Sequence, residues 1–344
     1  MGGDAAARPL DLVVWSGYTD GSTEGYPAMS DRDPDQPIPL RADVPDREAA
    51  TTFRPVAEGM EGHVNVYHPV LDHGFVAVKD YMGEDLSILQ MARMSYGKGT
   101  KGTGDDRALL RYLMRQMHTS PFEGCVIKLH VKLPIFVMRQ WVRHRTASLN
   151  EYSARYSILP DEFYLPEPAQ LAVQSTDNKQ GRGAQLSPEQ AAEVLRILRE
   201  DARAAFASYH RLLNADEDGT AIDPDSAGIA RELARIGLPL STYTQMYWQT
   251  NLHNLMHFLR LRADPHAQWE IRVYAEKILE IMADWVPLTH EAFRDYQLEA
   301  VRLSRMEMAL VKDMLAGRAT LDDSARYGLT KREAREFAAR LGDA

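Results

Sequence analysis

Val126-Ile127-Lys128-Leu129-His130-Val131-Lys132-Leu133-Pro134 is the most regular stretch of the chain. Ile127, Leu129, Val131 and Leu133 are apolar and alternate with Lys128, His130 and Lys132. Successive strand side chains point to opposite faces, so the pattern predicts a strand in a sheet with one buried and one wet face. Pro134 stops the strand. Ile135 to Arg145 then reads as a helix with proline near its first turn.

Upstream, Leu71 to Asp80 reads as a strand carrying Phe75, Val76 and Val78, followed by a helix over Glu84 to Tyr96. Gly97-Lys98-Gly99-Thr100-Lys101-Gly102-Thr103-Gly104 breaks that helix. Its glycines suggest a phosphate loop, but the Gly-Lys-Ser/Thr ending is missing, which favours a mobile surface loop. Arg107 to Met117 reads as a second helix, closed by His118-Thr119-Ser120-Pro121-Phe122. Downstream, residues 171–186 read as a polar loop. Ser187-Pro188-Glu189-Gln190 is a capping box that opens a helix. Leu195, Leu198, Ala202, Ala205, Tyr209 and Leu212 form its expected apolar stripe. Further helices are expected over about Ala227 to Ile236, Thr250 to Arg262 and His266 to Trp285. Residues 1–62 are expected to be a partly ordered arm, with Leu12-Val13-Val14-Trp15 as a possible strand or anchor. Residues 297–344 are expected to form a charged helical extension.

The 344 residues are 44% hydrophobic and 26% charged, with net charge −9 from 40 basic and 49 acidic side chains. This is ordinary soluble composition. No apolar run is long enough to span a bilayer, and no basic n-region precedes an apolar segment at the N-terminus, so the expected compartment is the cytoplasm. The single Cys125 excludes an intramolecular disulfide framework and a cysteine-rich zinc site. Excess acid argues against non-specific nucleic-acid binding, so a dense arginine cluster needs a local explanation.

That cluster is Arg143-His144-Arg145-Thr146-Ala147-Ser148-Leu149-Asn150-Glu151-Tyr152-Ser153-Ala154-Arg155-Tyr156-Ser157. A solvated helix face would favour lysine and glutamate at helical spacing. Arginine, serine and asparagine make directed hydrogen bonds to phosphates and heterocycle edges, which predicts a loop for an anionic ligand. His253 and His257 stand four apart, on one helix face. No glutamate follows the first histidine, so a metalloprotease site is excluded, and polar ligand contacts are favoured over a metal. Glu232 and Arg235, three apart, read as an ordinary helix ion pair.

Three motifs in order resemble the flavin-dependent thymidylate synthases, in their longer bacterial branch. They are His118-Thr119-Ser120-Pro121-Phe122-Glu123; then Arg143-His144-Arg145 with seven residues before Ser153; then Leu261-Arg262-Ala263-Asp264-Pro265-His266-Ala267-Gln268. Asn251-Leu252-His253-Asn254-Leu255-Met256-His257 also fits that branch. The resemblance spans about Val64 to Tyr296 and implies a family domain over residues 63–296. The implied fold is α+β, with mixed helices packed on an antiparallel-type sheet. The implied activity is FAD-dependent C5-methylation of dUMP to dTMP, with methylenetetrahydrofolate as one-carbon donor and NADPH as reductant. The implied assembly is a homotetramer with sites shared between subunits.

By motif, the resemblance assigns Ser95, His118, Ser120, Arg143, His144, Arg145, Asn150, Glu151, Asn251, His253, His257 and His266 to the flavin or the folate. Gln140, Arg143, Glu151, Tyr152, Ser153, Ala154, Arg155, Arg235 and Arg262 are assigned to the nucleotide. Short members carry arginine at the position of His253. Arg262 and Ser153 take the catalytic assignments, Arg262 as the guanidinium that stabilises the uracil enolate and Ser153 as a ligand-positioning hydroxyl. Cys125, in an apolar strand, is expected to be inert packing. Rival readings are the same chemistry on UMP, a non-catalytic flavin- or nucleotide-binding protein, and an RNA-binding protein. The last is disfavoured by the acidic charge and the lack of an aromatic-interleaved basic patch.

Overall fold

The computed structural model describes residues 54–95, 105–176 and 181–342. The Leu12–Trp15 segment, the glycine-rich loop and most of the N-terminal arm lie outside the described residues. The strands are β1 (Tyr67–Val70), β2 (Gly74–Met82), β3 (Val126–Pro134), β4 (Ser148–Glu151), β5 (Ala172–Gln174), β6 (Arg182–Gln185) and β7 (Tyr243–Asn251). The helices are α1 (Glu58–Glu61), α2 (Asp85–Met94), α3 (Asp106–Arg115), α4 (Ser120–Glu123), α5 (Ile135–Trp141) and α6 (Pro188–Leu213). They continue with α7 (Arg231–Ala234), α8 (Leu252–Arg262), α9 (Trp269–Trp285), α10 (Pro287–Phe293), α11 (Arg305–Leu315) and α12 (Lys331–Leu341). The fold is α+β. A five-stranded antiparallel sheet in the order β1-β2-β3-β7-β4 carries helices on one face.

β3 is central, and its alternation holds. Ile127, Leu129, Val131 and Leu133 are buried. They pair in register with Thr250, Trp248, Met246 and Thr244 of β7. Lys132 departs from the expected wet face and is 2% exposed. An isolated bridge between Phe163 and Thr242 brings the neighbouring chain to the start of β7, where Tyr243 N–H donates to Glu162 O at 2.9 Å. Glu162 thereby delivers a carboxylate to Lys132 Nζ. A buried ammonium needs such a partner.

β7 has no counterpart in the sequence reading, which started a helix at Thr250. The helix begins at Leu252, with Asn251 Oδ1 accepting from Asn254 N–H at 2.9 Å as its N-cap. The strand was hidden because threonines fill half of its inward positions. Their hydroxyls are satisfied locally: Thr244 Oγ1 donates to Glu151 Oε1 at 2.9 Å and Thr250 Oγ1 to Thr146 O at 3.2 Å.

The expected helix over Ile135 to Arg145 stops at Trp141. Trp141 is buried, its ring 4.5 Å from Phe258 and 5.5 Å from Trp248. Residues 142–147 turn the chain back so that β4 can pair with β7. The expected helix over Ala227 to Ile236 shrinks to α7. The preceding backbone is instead bound to the end of α6: Ile229 N–H donates to Leu212 O at 2.8 Å, and Asn214 Nδ2 donates to Asp223 O and Ser226 O. Gly228 is needed there, since a Cβ would lie 1.8 Å from Leu213 O. On α6 the buried stripe is Ala191, Ala202, Phe206 and Tyr209, while Leu198 and Leu212 are exposed. The expected polar loop contains the β5–β6 hairpin. In the C-terminal segment Leu310, Leu329 and Phe337 form a separate small core.

Candidate functional site

The turn from β3 into α5, the return into β4 and the end of α8 meet at one edge of the sheet. Gln140 lies on α5, and His144 in the turn after it. Arg262 closes α8, whose neighbouring turn carries Gln268. Arg262 Nε donates to His144 Nε2 at 3.0 Å, and its Nη2 reaches Gln140 O at 3.4 Å. His144 Nε2 is thus an acceptor, which makes the ring neutral with its proton on Nδ1. Burial, then the charges of Arg262 and His257, hold His144 down to about 4. Its ring packs 5.0 Å from Phe258 and 5.9 Å from His257. Among the described residues Arg262 has no carboxylate partner. Its positive charge is therefore held in place by a neutral ring and a carbonyl and left uncompensated.

A second chain of bonds orients Gln140. Its Nε2 donates to Gln268 Oε1, and Gln268 Nε2 donates to Glu270 Oε2 at 2.9 Å. Glu270 is buried and also accepts from Tyr164 OH at 3.2 Å and from Arg182 Nη2 of the β5–β6 hairpin at 2.5 Å. Glu270 and Arg182 were not singled out in the sequence, because a long-range pair between a loop and a helix start leaves no local spacing signal.

Beyond β4 lies a cleft of about 340 Å³ whose lining includes Glu151, Tyr152, Ser153, Ala154, Arg235 and Thr244. The bond from Thr244 orients the Glu151 carboxylate. Ser153 Oγ accepts from Arg155 N–H at 3.4 Å and meets no imidazole or carboxylate among the described residues, which leaves it without a base. Arg155 lies at the rim with 57% of its side chain exposed, and its Nε donates to Glu232 Oε2 at 3.0 Å. Glu232 therefore pairs with Arg155 rather than with Arg235, because α7 is only one turn long and Arg235 faces the cleft.

A second concavity, about 70 Å³, joins His118, His253 and His257 with Arg260 of α8 and Gln297 and Arg302 from beyond α10. Burial, Arg260 and His253 pull the His257 pKa down. The remaining expected residues stand apart from these three groups. Ser95 ends α2 and is exposed, and Ser120 opens α4. Arg143, Arg145 and Asn150 are exposed. Asn251 caps α8, while His266 is solvent-facing and bonded to Asp264 at 2.9 Å. The only group of three possible metal ligands among the described residues is Asp161, His210 and Glu217, away from the His253–His257 face.

Cys125 is fully buried, its thiol pushed up to about 12 by burial and then by Asp85 and Glu84. It offers no thiolate nucleophile at neutral pH.

A family profile described as "Thymidylate synthase complementing protein" matches residues 77–288. The chain is 55% identical over 288 residues to the flavin-dependent thymidylate synthase of Rickettsia prowazekii, covering 83% of this chain and 97% of that protein. It is 54% identical to the enzyme of the same description from Ruegeria pomeroyi, covering 84% of this chain and 92% of the relative. Among solved structures, the UMP/dUMP methylase PolB of Streptomyces cacaoi, bound with 5-Br UMP, superposes with a TM-score of 0.58 at 37% identity. That match covers 65% of this chain and 96% of PolB. With three motifs in order, the antiparallel sheet and these likenesses together, the chain belongs to the flavin-dependent thymidylate synthases, a family of methyltransferase enzymes.

Proposed function

We propose that this enzyme methylates C5 of the uracil ring of dUMP, with FAD bound beside the nucleotide, methylenetetrahydrofolate as carbon donor and NADPH as reductant. The observation that carries the reading is Arg262, a half-buried guanidinium without a carboxylate, fixed by neutral His144 next to the backbone of Gln140. Uracil C5 is a poor nucleophile until negative charge can collect on the ring oxygen. A preorganised cation near that oxygen stabilises the enolate form as the new bond develops. Cys125 is too buried and too weakly acidic to activate C6 covalently.

The cleft with Glu151, Tyr152, Ser153, Ala154 and Arg235 is the nucleotide subsite in this reading. Arg235 takes the phosphate, Ser153 positions the ligand by its hydroxyl, and Ala154 and Leu159 give an apolar wall that excludes water. Arg155 joins from the rim. The donor set also suits FAD, whose diphosphate carries two negative charges. Arg143, Arg145, His118, His253 and His257 supply cations and N–H donors, with Ser95, Ser120, Asn150, Asn251 and His266 as polar neighbours. When bound, the flavin supplies hydride chemistry that no side chain can.

The cytoplasm is the proposed compartment; no helix among the described residues is long and apolar enough to cross a membrane. A homotetramer with shared sites is supported by the apolar side chains Leu149, Ile236, Leu240 and Tyr247, all exposed near the cleft and β4. Light scattering at the mass of one chain would overturn the tetramer.

The test of function is release of tritium from 5-tritiated dUMP and from 5-tritiated UMP in the presence of FAD, methylenetetrahydrofolate and NADPH. Release from dUMP is expected. Release from UMP alone would move the substrate to the ribonucleotide, and release from neither would refute the reading.

A further inference from the structure

The start of α9 carries side chains bonded end to end, and each bond has a direction. Arg182 of the β5–β6 hairpin is forked. Its Nη1 donates to Gln170 O at 3.2 Å and to Gln170 Oε1 at 3.0 Å, which holds it to its own hairpin. Its Nη2 donates to Glu270 Oε1 at 2.5 Å, where Tyr164 OH also donates at 3.2 Å. Only 4% of the Glu270 side chain is exposed. A buried carboxylate needs such a cation, and a carboxylate held by one accepts hydrogen bonds and donates none.

Gln268 meets the other oxygen. It is the N-cap residue of α9, yet its side chain caps nothing. Instead its Nε2 donates to Glu270 Oε2 at 2.9 Å. A side-chain amide has a donor end and an acceptor end. With its donor end committed to Glu270, Gln268 turns Oε1 towards Gln140, and Gln140 meets that oxygen with Nε2. The direction of the Gln140 amide is therefore set by the charge at the far end of the relay. What remains of that amide is Oε1, which has no hydrogen-bond partner among the described residues, and the second N–H. Gln140 O also receives Arg262 Nη2 at 3.4 Å, so this amide belongs to the residue next to the guanidinium assigned to the uracil oxygen.

Uracil offers N3–H as a donor beside the O4 acceptor. Cytosine offers N3 as an acceptor beside the 4-amino donor. An amide held with its oxygen free complements the first pattern and opposes the second, whereas an unrestrained amide turns over and meets either. We infer that Arg182, Glu270 and Gln268 are positioning residues that lock the Gln140 amide in the orientation that accepts uracil and rejects cytosine. The inference rests on the proposed function, which places Gln140 at the nucleotide.

Calorimetry on the flavin-loaded full chain compares dUMP with dCMP. Wild type should bind dCMP about 10- to 100-fold more weakly, the range for a polar edge left mispaired. Gln268→Leu removes the relay. Glu270→Gln keeps its shape but offers Gln268 a donor as well as an acceptor. Both should narrow the ratio by about 5- to 10-fold, chiefly through tighter dCMP binding, a gain that lost packing does not produce. Arg262 is present in every protein compared, so its own discrimination cancels. An unchanged ratio in Gln268→Leu, or equal weakening of both nucleotides, overturns the lock, as does wild type that binds the two alike. If Glu270→Gln does not fold, Gln268→Leu decides alone. If only ribonucleotides bind, UMP and CMP take the place of dUMP and dCMP. Wild type that binds no uracil nucleotide refutes the proposed function and the lock with it, whereas dUMP binding with an unchanged ratio refutes the lock alone.

Discussion

Arg262 and Arg155 come from motifs of one family and stand in opposite electrostatic situations. Arg262 is half-buried, bonded to the neutral ring of His144 and a carbonyl, and lacks a carboxylate. Arg155 is mostly exposed and already paired with Glu232. The first charge is preorganised and available, in surroundings where its field is weakly screened. The second must leave or share its partner to meet a ligand, and water screens it. A guanidinium in a motif is therefore not a measure of its work. Its neighbours decide whether it stabilises a transition state or adjusts affinity.

The largest effect is expected from Arg262→Ala. Loss of a preorganised electrostatic group lowers kcat by about 10²–10³-fold, with FAD still bound by fluorescence quenching. Arg262→Lys should not recover it, because no Nε–H remains for His144. Near-normal tritium release from either variant would erase the contrast.

At the rim, Arg155→Ala should weaken nucleotide binding by about 3- to 10-fold and leave FAD affinity alone, as fits a screened contact. Glu232→Gln sharpens the comparison, since it frees Arg155. Nucleotide affinity should then hold or tighten slightly. A marked weakening by calorimetry would mean that Glu232 itself meets the ligand.

The two regions also respond oppositely to pH. His144 is held at about 4, below its ordinary 6.5. Its contribution to stability is fully present above 6.5 and is lost as pH falls from 6.5 towards 4. In the lobe behind the rim, His210 Nδ1 donates to Ala215 O at 2.9 Å and Nε2 faces Asp161 at 2.7 Å. Burial lowers its pKa, but the Asp161 carboxylate, the Ala215 carbonyl and Glu217 together outweigh burial and the net direction is upward. That contribution is fully present below 6.5 and is lost as pH rises through the raised value. Melting temperatures across pH should show His144→Gln flattening the acid side and His210→Gln flattening the neutral side. The reverse pattern would contradict both environments.

The smallest effect is expected from Cys125→Ala. Its thiol lies against Gly83 and Glu84 O, in the core and outside the site. Turnover should stay within about twofold, with stability lowered by about 1 kcal/mol from the small void. Loss of turnover in a folded, flavin-bound variant would require a covalent cysteine step.

How much of this was legible depends on the range of the interaction. The β3 alternation could be read because each residue obeys a two-residue period, and the α6 capping box because its bonds span three residues. The Arg143–Ser157 cluster stood out by composition. β7 escaped because Thr244 and Thr250 are polar letters in buried positions, made acceptable by partners about a hundred residues away. Lys132 was placed in water for the same reason, since only the fold delivers Glu162 to it. Arg235 and Glu232 satisfied a helix-pair spacing, yet the helix was too short to use it.

The sequence by itself determined the central strand, the motifs and their order, and the residue types available for chemistry, because these are local or compositional properties. Tertiary structure alone decided which of those residues meet. It set Arg262 against a neutral His144, diverted Arg155 to Glu232, chained Arg182 through Glu270 and Gln268 to Gln140, and brought Arg302 to Arg260. Burial and through-space charge act over a few ångströms whatever the separation along the chain, so neither is written in any spacing of the sequence.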